Sequence, residues 1–149
     1  LIITILILID LLTKSIFEDK SYFKDFLIHI NYTQNTGSSF GIFSNISFYT
    51  QFIIILSVII TAILIYNYNT LSKDRFLRLF FIFSISGILG NTIDRLIFGF
   101  VRDFIAIKGL FIFNMADLYI TLSIFFLLIR EYSENKHLKN LQKHNKYGK

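Results

Sequence analysis

The run "FIIILSVIITAILIY", residues 52–66, has no charged side chain and lacks the sustained alternation of a half-buried strand. A helix needs roughly 20 mainly apolar residues to cross a bilayer. Similar runs account for much of a chain that is 54% hydrophobic: "LIITILILI" (1–9), "FLRLFFIFSISGILG" (76–90) and "GLFIFNMADLYITLSIFFLLI" (109–129). Since backbone exposed to lipid must be satisfied within a helix or a closed barrel, the sequence predicts an all-α membrane protein with four transmembrane helices.

The two ends of the chain carry separate expectations. The sequence begins at Leu1 without Met or a basic leader, so the first span is expected to lack its first residues. A cleaved signal sequence is the alternative, disfavoured because Asp10 and Lys14 follow at once and no small-residue cleavage site does. One membrane domain is predicted over residues 1–132, followed by a frayed or disordered basic cytoplasmic tail over residues 133–149.

The distribution of basic residues predicts the orientation. Nine of the fifteen Lys and Arg residues lie in the loop between spans two and three or in the tail: Lys73, Arg75, Arg78, Arg130, Lys136, Lys139, Lys143, Lys146 and Lys149. Short loops rich in Lys and Arg face the cytoplasm, so both termini are predicted inside, with 14–51 and 91–108 outside. Anionic lipid and topology explain the basic tail, and no nucleic-acid partner is expected.

The absent residues exclude several chemistries. The chain has no Cys, which excludes a thiol nucleophile, a disulfide framework and thiolate metal ligation. Its three His residues include two in the tail, at 137 and 144, so a His cluster for a metal ion is not expected either. No metal and no cofactor are predicted.

Polar residues cluster at the predicted outer ends of the spans. Asp10 and Lys14, in "DLLTK", lie four apart on one helix face, where the simplest interpretation is an ion pair that tethers the helix end. Asn91 and Arg95 share a face of span three, and Asp94 adjoins Arg95 without facing it. Charges can anchor a helix end, but the amide of Asn91 needs partners at that depth.

Two further segments carry structural predictions, one within span three and one on the outer surface. Ser86, Gly87 and Gly90 form a small-residue face that lets span three approach a neighbouring helix closely. Residues 27–48 combine partial alternation with a Gly-rich turn, which predicts a small β-structure between helices 1 and 2 that rests on the membrane. Phe40 and Phe43 follow the turn and are expected to cover the substrate site.

Asp103 and Asp117 stand in almost wholly apolar surroundings, in "GFVRDFIAIKGLFIFNMADLYITLS" (99–123). Asn114 can cap span four, with Asp117 at the third position of a capping box, which is a structural alternative for that residue. Asp103 has no such role. Two carboxylates brought together here would share a proton and act as one acid and one base, as in an aspartic protease.

The ordered blocks "DLLTK", "NTGSSFG", "GNTIDRLIFGFVRDFI" and "FNMADLYIT", interleaved with four spans, resemble lipoprotein signal peptidase (signal peptidase II), a bacterial family of intramembrane aspartyl peptidases. The resemblance covers residues 10–129. It implies removal of signal peptides from diacylglyceryl-modified prolipoproteins, on the amino side of the lipidated Cys, in the inner membrane, and a small β-cradle on the outer surface. It also implies an outer-leaflet site with Asp103 and Asp117 as the catalytic pair.

The same resemblance assigns supporting roles. Substrate-binding or positioning residues would be Asp10, Lys14, Asn35, Gly37, Asn91, Asp94, Arg95 and Asn114. Ser39 departs from the family pattern, which usually has Ala there. Partners would be lipidated prolipoproteins and membrane lipid, and the sequence is compatible with a monomer without fixing the oligomeric state.

Two other classes stay open. A four-helix transporter could also place carboxylates between helices, and a purely structural membrane protein could use them as anchors. The transporter predicts a polar path that continues to the cytoplasm. The peptidase predicts a single site shared by Asp103 and Asp117.

Overall fold

The computed structural model describes residues 1–23, 26–37 and 48–147, and this part of the chain forms four helices and one four-stranded antiparallel sheet. The helices are α1 (Ile2–Phe17), α2 (Tyr49–Leu71), α3 (Arg75–Phe98) and α4 (Met115–Tyr147). The strands are β1 (Ser21–Tyr22), β2 (Ile28–Asn35), β3 (Val101–Ile107) and β4 (Ile112–Phe113), which lie in that order across the sheet.

The strands of the sheet come from two parts of the chain, whereas the sequence predicted strands from one part only. A β-structure was expected between helices 1 and 2 alone, yet β3 and β4 come from the segment between α3 and α4. The long β2 would leave a row of unpaired backbone groups at its edge, and β3 pairs with that edge. Its register places Thr33 opposite Asp103, after an irregularity that follows Ile30. The sheet therefore carries one of the two predicted catalytic residues.

Helix α3 is the centre of the bundle and has well-defined ends. Asp74 caps its start, since Oδ1 accepts from the backbone N–H groups of Phe76 (2.7 Å) and Leu77 (3.0 Å). Gly99 ends it in the left-handed conformation, at φ 80°. Its buried face runs from Phe81 to Asp94, and α1, α2 and α4 all pack against the helix.

The predicted small-residue face is confirmed. A Cβ on Gly87 would lie 2.5 Å from the carbonyl oxygen of Ala116, so α4 approaches α3 too closely for any side chain there. A Cβ on Gly90 would lie 2.6 Å from Oδ2 of Asp10, on the other side of the contact. Glycine at these two positions lets three helices meet around buried polar groups.

Two helices in the described residues are long and apolar enough to cross a membrane: Tyr49–Tyr68 within α2, and α3. Helix α2 exposes large apolar side chains over most of its surface, including Phe52, Ile55 and Ile63, as a helix facing lipid would. Helix α1 has only 16 residues, while α4 joins an apolar first half to a polar second half. The prediction of four spans stays a prediction.

The expectation of a frayed or disordered tail from Ser133 is wrong for its described part. Helix α4 continues to Tyr147, about 50 Å from its start. Residues 130–147 contain neither Gly nor Pro, and Arg130 forms an ion pair with Glu134 one turn away. These local features favour a helix even where the side chains are polar.

Candidate active site

Asp103 lies on β3 with 2% of its surface exposed. Its two carboxylate oxygens accept from different amides: Oδ2 from Nδ2 of Asn35 (2.9 Å) and Oδ1 from Nδ2 of Asn114 (2.6 Å). Asn35 ends β2, two strand positions from the residue that pairs with Asp103. Sheet register and helix packing together aim this carboxyl group.

Asp117 lies in the first turn of α4, and the predicted capping box is present. The backbone N–H of Asp117 donates to Oδ1 of Asn114 (3.0 Å), and the backbone N–H of Asn114 donates to Oδ2 of Asp117 (3.2 Å). The other carboxylate oxygen, Oδ1, accepts from Nδ2 of Asn91 (2.8 Å). Capping thus uses one oxygen and leaves the other directed toward α3.

Asn114 joins the two acids. Its side chain bonds to Asp103 and caps Asp117, and its Nδ2 also donates to Oδ1 of Asn91 (3.1 Å). Asn114 is fully buried, and Asn91 is 8% exposed. A pair of amides therefore holds both carboxyl groups in one hydrogen-bonded unit.

Burial, together with the nearby charge of Asp117, raises the pKa of Asp103 from its usual 3.8 to about 7, and burial is the larger of the two causes. The hydrogen bonds from Asn35 and Asn114 oppose the shift. Because desolvation is the largest effect, this carboxyl group holds a proton near neutral pH. A buried carboxyl group with this property, beside a second acid, can act as a general acid.

A buried ion cluster lies behind the amides. Nζ of Lys14 contacts Oδ2 of Asp10 (2.7 Å) and Oδ2 of Asp94 (3.3 Å), and all three side chains are fully buried. Asp10 also accepts from the backbone N–H of Ala116 (2.8 Å) through Oδ1. The predicted ion pair between Asp10 and Lys14 is confirmed, but it joins three helices in the interior instead of tethering one helix end.

Arg102 completes this cluster, and the sequence analysis missed it. Asp94 accepts from its backbone N–H (3.0 Å) and its guanidinium (2.8 Å). The guanidinium also reaches Ser15 of α1 and Glu18, which directly follows α1, at 3.3 Å each. The signal was present: along a strand, Arg102 must face away from its neighbour Asp103, toward the side where a buried acid needs a partner.

Arg95 and Gly37 connect α3 to the end of β2. Nη2 of Arg95 donates to the carbonyl oxygen of Gly37 (3.0 Å), and the N–H of Gly37 donates to Oδ1 of Asn35 (3.0 Å). This chain of bonds orients the amide of Asn35 so that its Nδ2 faces Asp103. The expected residues Ser39, Phe40 and Phe43 lie outside the described residues.

A cavity of about 560 Å³ contains both acids. Its polar lining includes Asn35, Asn91, Arg95, Asp103 and Asp117, and its apolar lining comes from α3, α4 and the β3–β4 hairpin. The described lining residues of α3 fall within 88–95, and those of α4 within 117–121. The cavity therefore occupies the sheet end of these helices, the arrangement that favours a single site over a path between the two faces.

A family model and individual relatives both match the signal peptidase II family. The family model described as "Signal peptidase (SPase) II" matches residues 2–133. The lipoprotein signal peptidase of Moorella thermoacetica is 37% identical over 100 residues, which are 66% of this chain and 65% of that relative's length. The lipoprotein signal peptidase of Halothermothrix orenii is 30% identical over 142 residues, which are 91% of this chain and 96% of that protein.

Solved structures show the same fold. A bacterial membrane enzyme determined by the in meso method at 2.3 Å resolution superposes with a TM-score of 0.82 at 26% identity, and the match covers 91% of this chain and 88% of that one. A second bacterial membrane enzyme, at 1.9 Å resolution, gives a TM-score of 0.77 at 27% identity, covering 87% and 88%.

Proposed function

This chain belongs to the signal peptidase II family, and we propose that it is an aspartyl endopeptidase that removes signal peptides from prolipoproteins within the membrane. The observation that carries the proposal is the pair of carboxyl groups, Asp103 and Asp117, joined by Asn114 at the wall of one cavity. The raised pKa of Asp103 supports it, because the chemistry needs one acid and one base.

The proposed reaction begins with a water molecule between the two acids. The ionised carboxylate of Asp117 takes a proton from the water as its oxygen attacks the scissile carbonyl carbon, which gives a tetrahedral intermediate. The protonated Asp103 stabilises the developing negative charge on the carbonyl oxygen by hydrogen bonding. When the C–N bond breaks, Asp117 passes the proton that it took from water to the departing amine. This transfer leaves Asp117 ionised and Asp103 protonated, as at the start, so the reaction consumes only water and needs no cofactor.

The proposed substrates are diacylglyceryl-modified prolipoproteins, cut on the amino side of the lipidated Cys, as the family resemblance implies. The mixed lining of the cavity supports this: polar side chains lie around the acids, with Ile88, Leu118 and Ile120 available to apolar groups. A peptide segment and a lipid chain require such a combination.

The proposed setting is the bacterial inner membrane, with four spans and both termini in the cytoplasm. The length and apolar composition of α2 and α3 support the membrane setting, and the distribution of Lys and Arg in the sequence supports the orientation. The sheet and the two acids would then lie at the outer leaflet, where the lipid-modified part of the substrate is expected.

The test compares Asp103→Asn and Asp117→Asn with the wild-type protein on a diacylglyceryl-modified prolipoprotein. Each variant should lose cleavage by at least about 1,000-fold while keeping its fold, because each removes a proton site and keeps the size of the side chain. The double variant should be no worse than either single one. Near-normal turnover in a folded Asp103→Asn protein would refute the aspartyl mechanism.

Asp74→Asn is the matched control for Asp117. Asp74 accepts from two backbone N–H groups at the start of α3, and Asp117 accepts from one, that of Asn114, at the start of α4, but Asp74 is not among the residues that line the cavity. Both Asn variants should cost about 1 kcal/mol of stability or less, measured by thermal unfolding in detergent. Only Asp117→Asn should lose activity. Equal activity in the two variants would mean that Asp117 is a cap and nothing more.

A further inference from the structure

The amide of Asn91 has only one orientation compatible with its neighbours. Its Oδ1 accepts from Nζ of Lys14 (3.0 Å) and from Nδ2 of Asn114 (3.1 Å), while its Nδ2 donates to Oδ1 of Asp117 (2.8 Å). Rotating the amide by 180° would place an NH₂ group against two donors and an oxygen against a carboxylate. Whatever fixes Oδ1 therefore also fixes the donor that faces Asp117.

Lys14 uses all three of its N–H donors in this network. Two go to the carboxylates of Asp10 and Asp94, and the third goes to Asn91. Its ammonium group is completely buried. Among the four buried side chains, Lys14 and Arg102 carry two positive charges and Asp10 and Asp94 two negative ones, so these ion pairs balance without the bond to Asn91.

We propose that Lys14 is a positioning residue of the aspartate pair, which orients and polarises the amide of Asn91 so that its Nδ2 donates to Asp117. This inference rests on the proposed function. A charged donor makes a stronger hydrogen bond than a neutral amide, so the bond from Lys14 outweighs that from Asn114 in fixing Asn91. Polarisation along the chain strengthens the bond to Asp117 in turn.

A purely structural role for Lys14 predicts something different. If the residue only neutralises Asp10 and Asp94, its removal would change stability and leave the chemistry of the folded enzyme intact. If it positions Asn91, its removal lowers kcat in an enzyme that still folds and still binds substrate. The charge of Lys14 also lowers the pKa of Asp103, so its loss should shift the pH profile as well.

The experiment compares Asp10→Asn/Lys14→Met with Asp10→Asn alone. The pair of substitutions removes one charge of each sign, so Asp94 and Arg102 stay balanced, and the new Asn can still accept from Ala116. Relative to Asp10→Asn, we expect kcat on a diacylglyceryl-modified prolipoprotein to fall by about 100-fold, with KM within about threefold. The upper limb of the pH profile should move to higher pH.

A second variant separates the donor from the charge. Asp10→Asn/Lys14→Gln offers an uncharged N–H donor, so it should recover at least about tenfold of the kcat lost with Met while keeping the shifted pH profile. If Asp10→Asn/Lys14→Met does not fold, Asp10→Asn/Lys14→Gln is compared with Asp10→Asn instead, and an unshifted pH profile would contradict the proposal. Glu18→Gln, which alters an exposed partner of Arg102, is the control and should behave like wild type.

The outcomes separate the two proposals. A folded Met variant with the kcat and pH profile of Asp10→Asn would overturn the positioning role and leave the peptidase proposal standing. A change in KM alone would also overturn it. If the wild-type protein cuts no prolipoprotein, the proposed function fails, and ¹⁵N NMR of the Asn91 side-chain amide then decides the role of Lys14: an amide signal that is the same in Asp10→Asn and in the Met variant would refute it.

Discussion

Activity should fall steeply as the pH rises above 7, because the proposed reaction needs a proton on Asp103. Burial and the charge of Asp117 place the pKa of this group at about 7. The group is then half protonated at pH 7, about 9% protonated at pH 8 and about 1% at pH 9. If kcat/KM follows the protonated fraction, it should fall about fivefold from pH 7 to pH 8 and about 50-fold by pH 9.

The assay measures kcat/KM for a diacylglyceryl-modified prolipoprotein in detergent micelles between pH 5 and pH 10, with thermal unfolding at each pH as the control for the fold. Asn35→Ala provides the matched variant. It removes a hydrogen bond that lowers the pKa of Asp103, so the upper limb of its profile should lie at higher pH than that of wild type. Asn35 makes this contact through its side chain alone, so the strand pairing should persist.

The same proton links stability to pH, and the sign follows from the raised pKa. Between about pH 3.8 and pH 7 the folded protein holds a proton that the unfolded chain has lost. The contribution is complete below pH 3.8 and disappears as the pH rises through 7. It amounts to about 4 kcal/mol. The unfolding free energy of wild type minus that of Asp103→Asn should therefore fall by that order between pH 4 and pH 8.

Two results would refute this reasoning. A kcat/KM that stays level to pH 9 in a folded protein would show that no group of the proposed pKa controls the reaction. A profile that moves to lower pH in Asn35→Ala would show that the bond from Asn35 does not favour the ionised form of Asp103.

Three further predictions concern packing, topology and the outer loop. Gly90→Ala should destabilise the protein by about 1 to 3 kcal/mol in thermal unfolding, because the new Cβ would lie 2.6 Å from a buried carboxylate oxygen of α1. Cysteines introduced at Lys73 and Lys143 should react with an impermeant thiol reagent from the same side of the membrane, and labelling from opposite sides would contradict the four-span orientation. Replacing Phe40 and Phe43 with Ala should weaken substrate binding and turnover, and unchanged kinetics would exclude their role in covering the site.

Much of the site could be predicted because its residues violate the apolar pattern. A charged side chain within an apolar run, such as Asp103, is costly to bury and therefore indicates a function, whereas a charge on the surface does not. Short spacings were equally informative: the ion pair of Asp10 with Lys14 and the capping box of Asn114 with Asp117 both follow from helix geometry. These contacts lie within one helical turn, where the sequence specifies distance directly.

Longer-range features were harder to predict. The pairing of β2 with β3 joins residues about 70 positions apart, and no local pattern reveals which edge completes a sheet. Arg102 was missed although its alternation with Asp103 offered a signal, because its partners, Ser15 of α1 and Asp94 of α3, come from two different helices. The helical continuation of α4 was missed because polar composition was read as disorder, although helix propensity and one-turn ion pairs can maintain a polar helix.

The capping role of Asp117 and its proposed chemical role were alternatives in the sequence, but the structure contains the geometry for both at once. Capping occupies Oδ2, while Oδ1 faces Asn91 at the cavity. The start of a helix favours a negative charge, whereas burial on β3 favours the protonated form of Asp103. The two acids thus differ because one begins a helix and the other lies inside a sheet, and Asn114 connects them at the point where those elements meet. In the proposed mechanism, the fold would therefore make Asp117, at the start of a helix, the base and Asp103, buried in the sheet, the acid, although the two side chains are chemically identical.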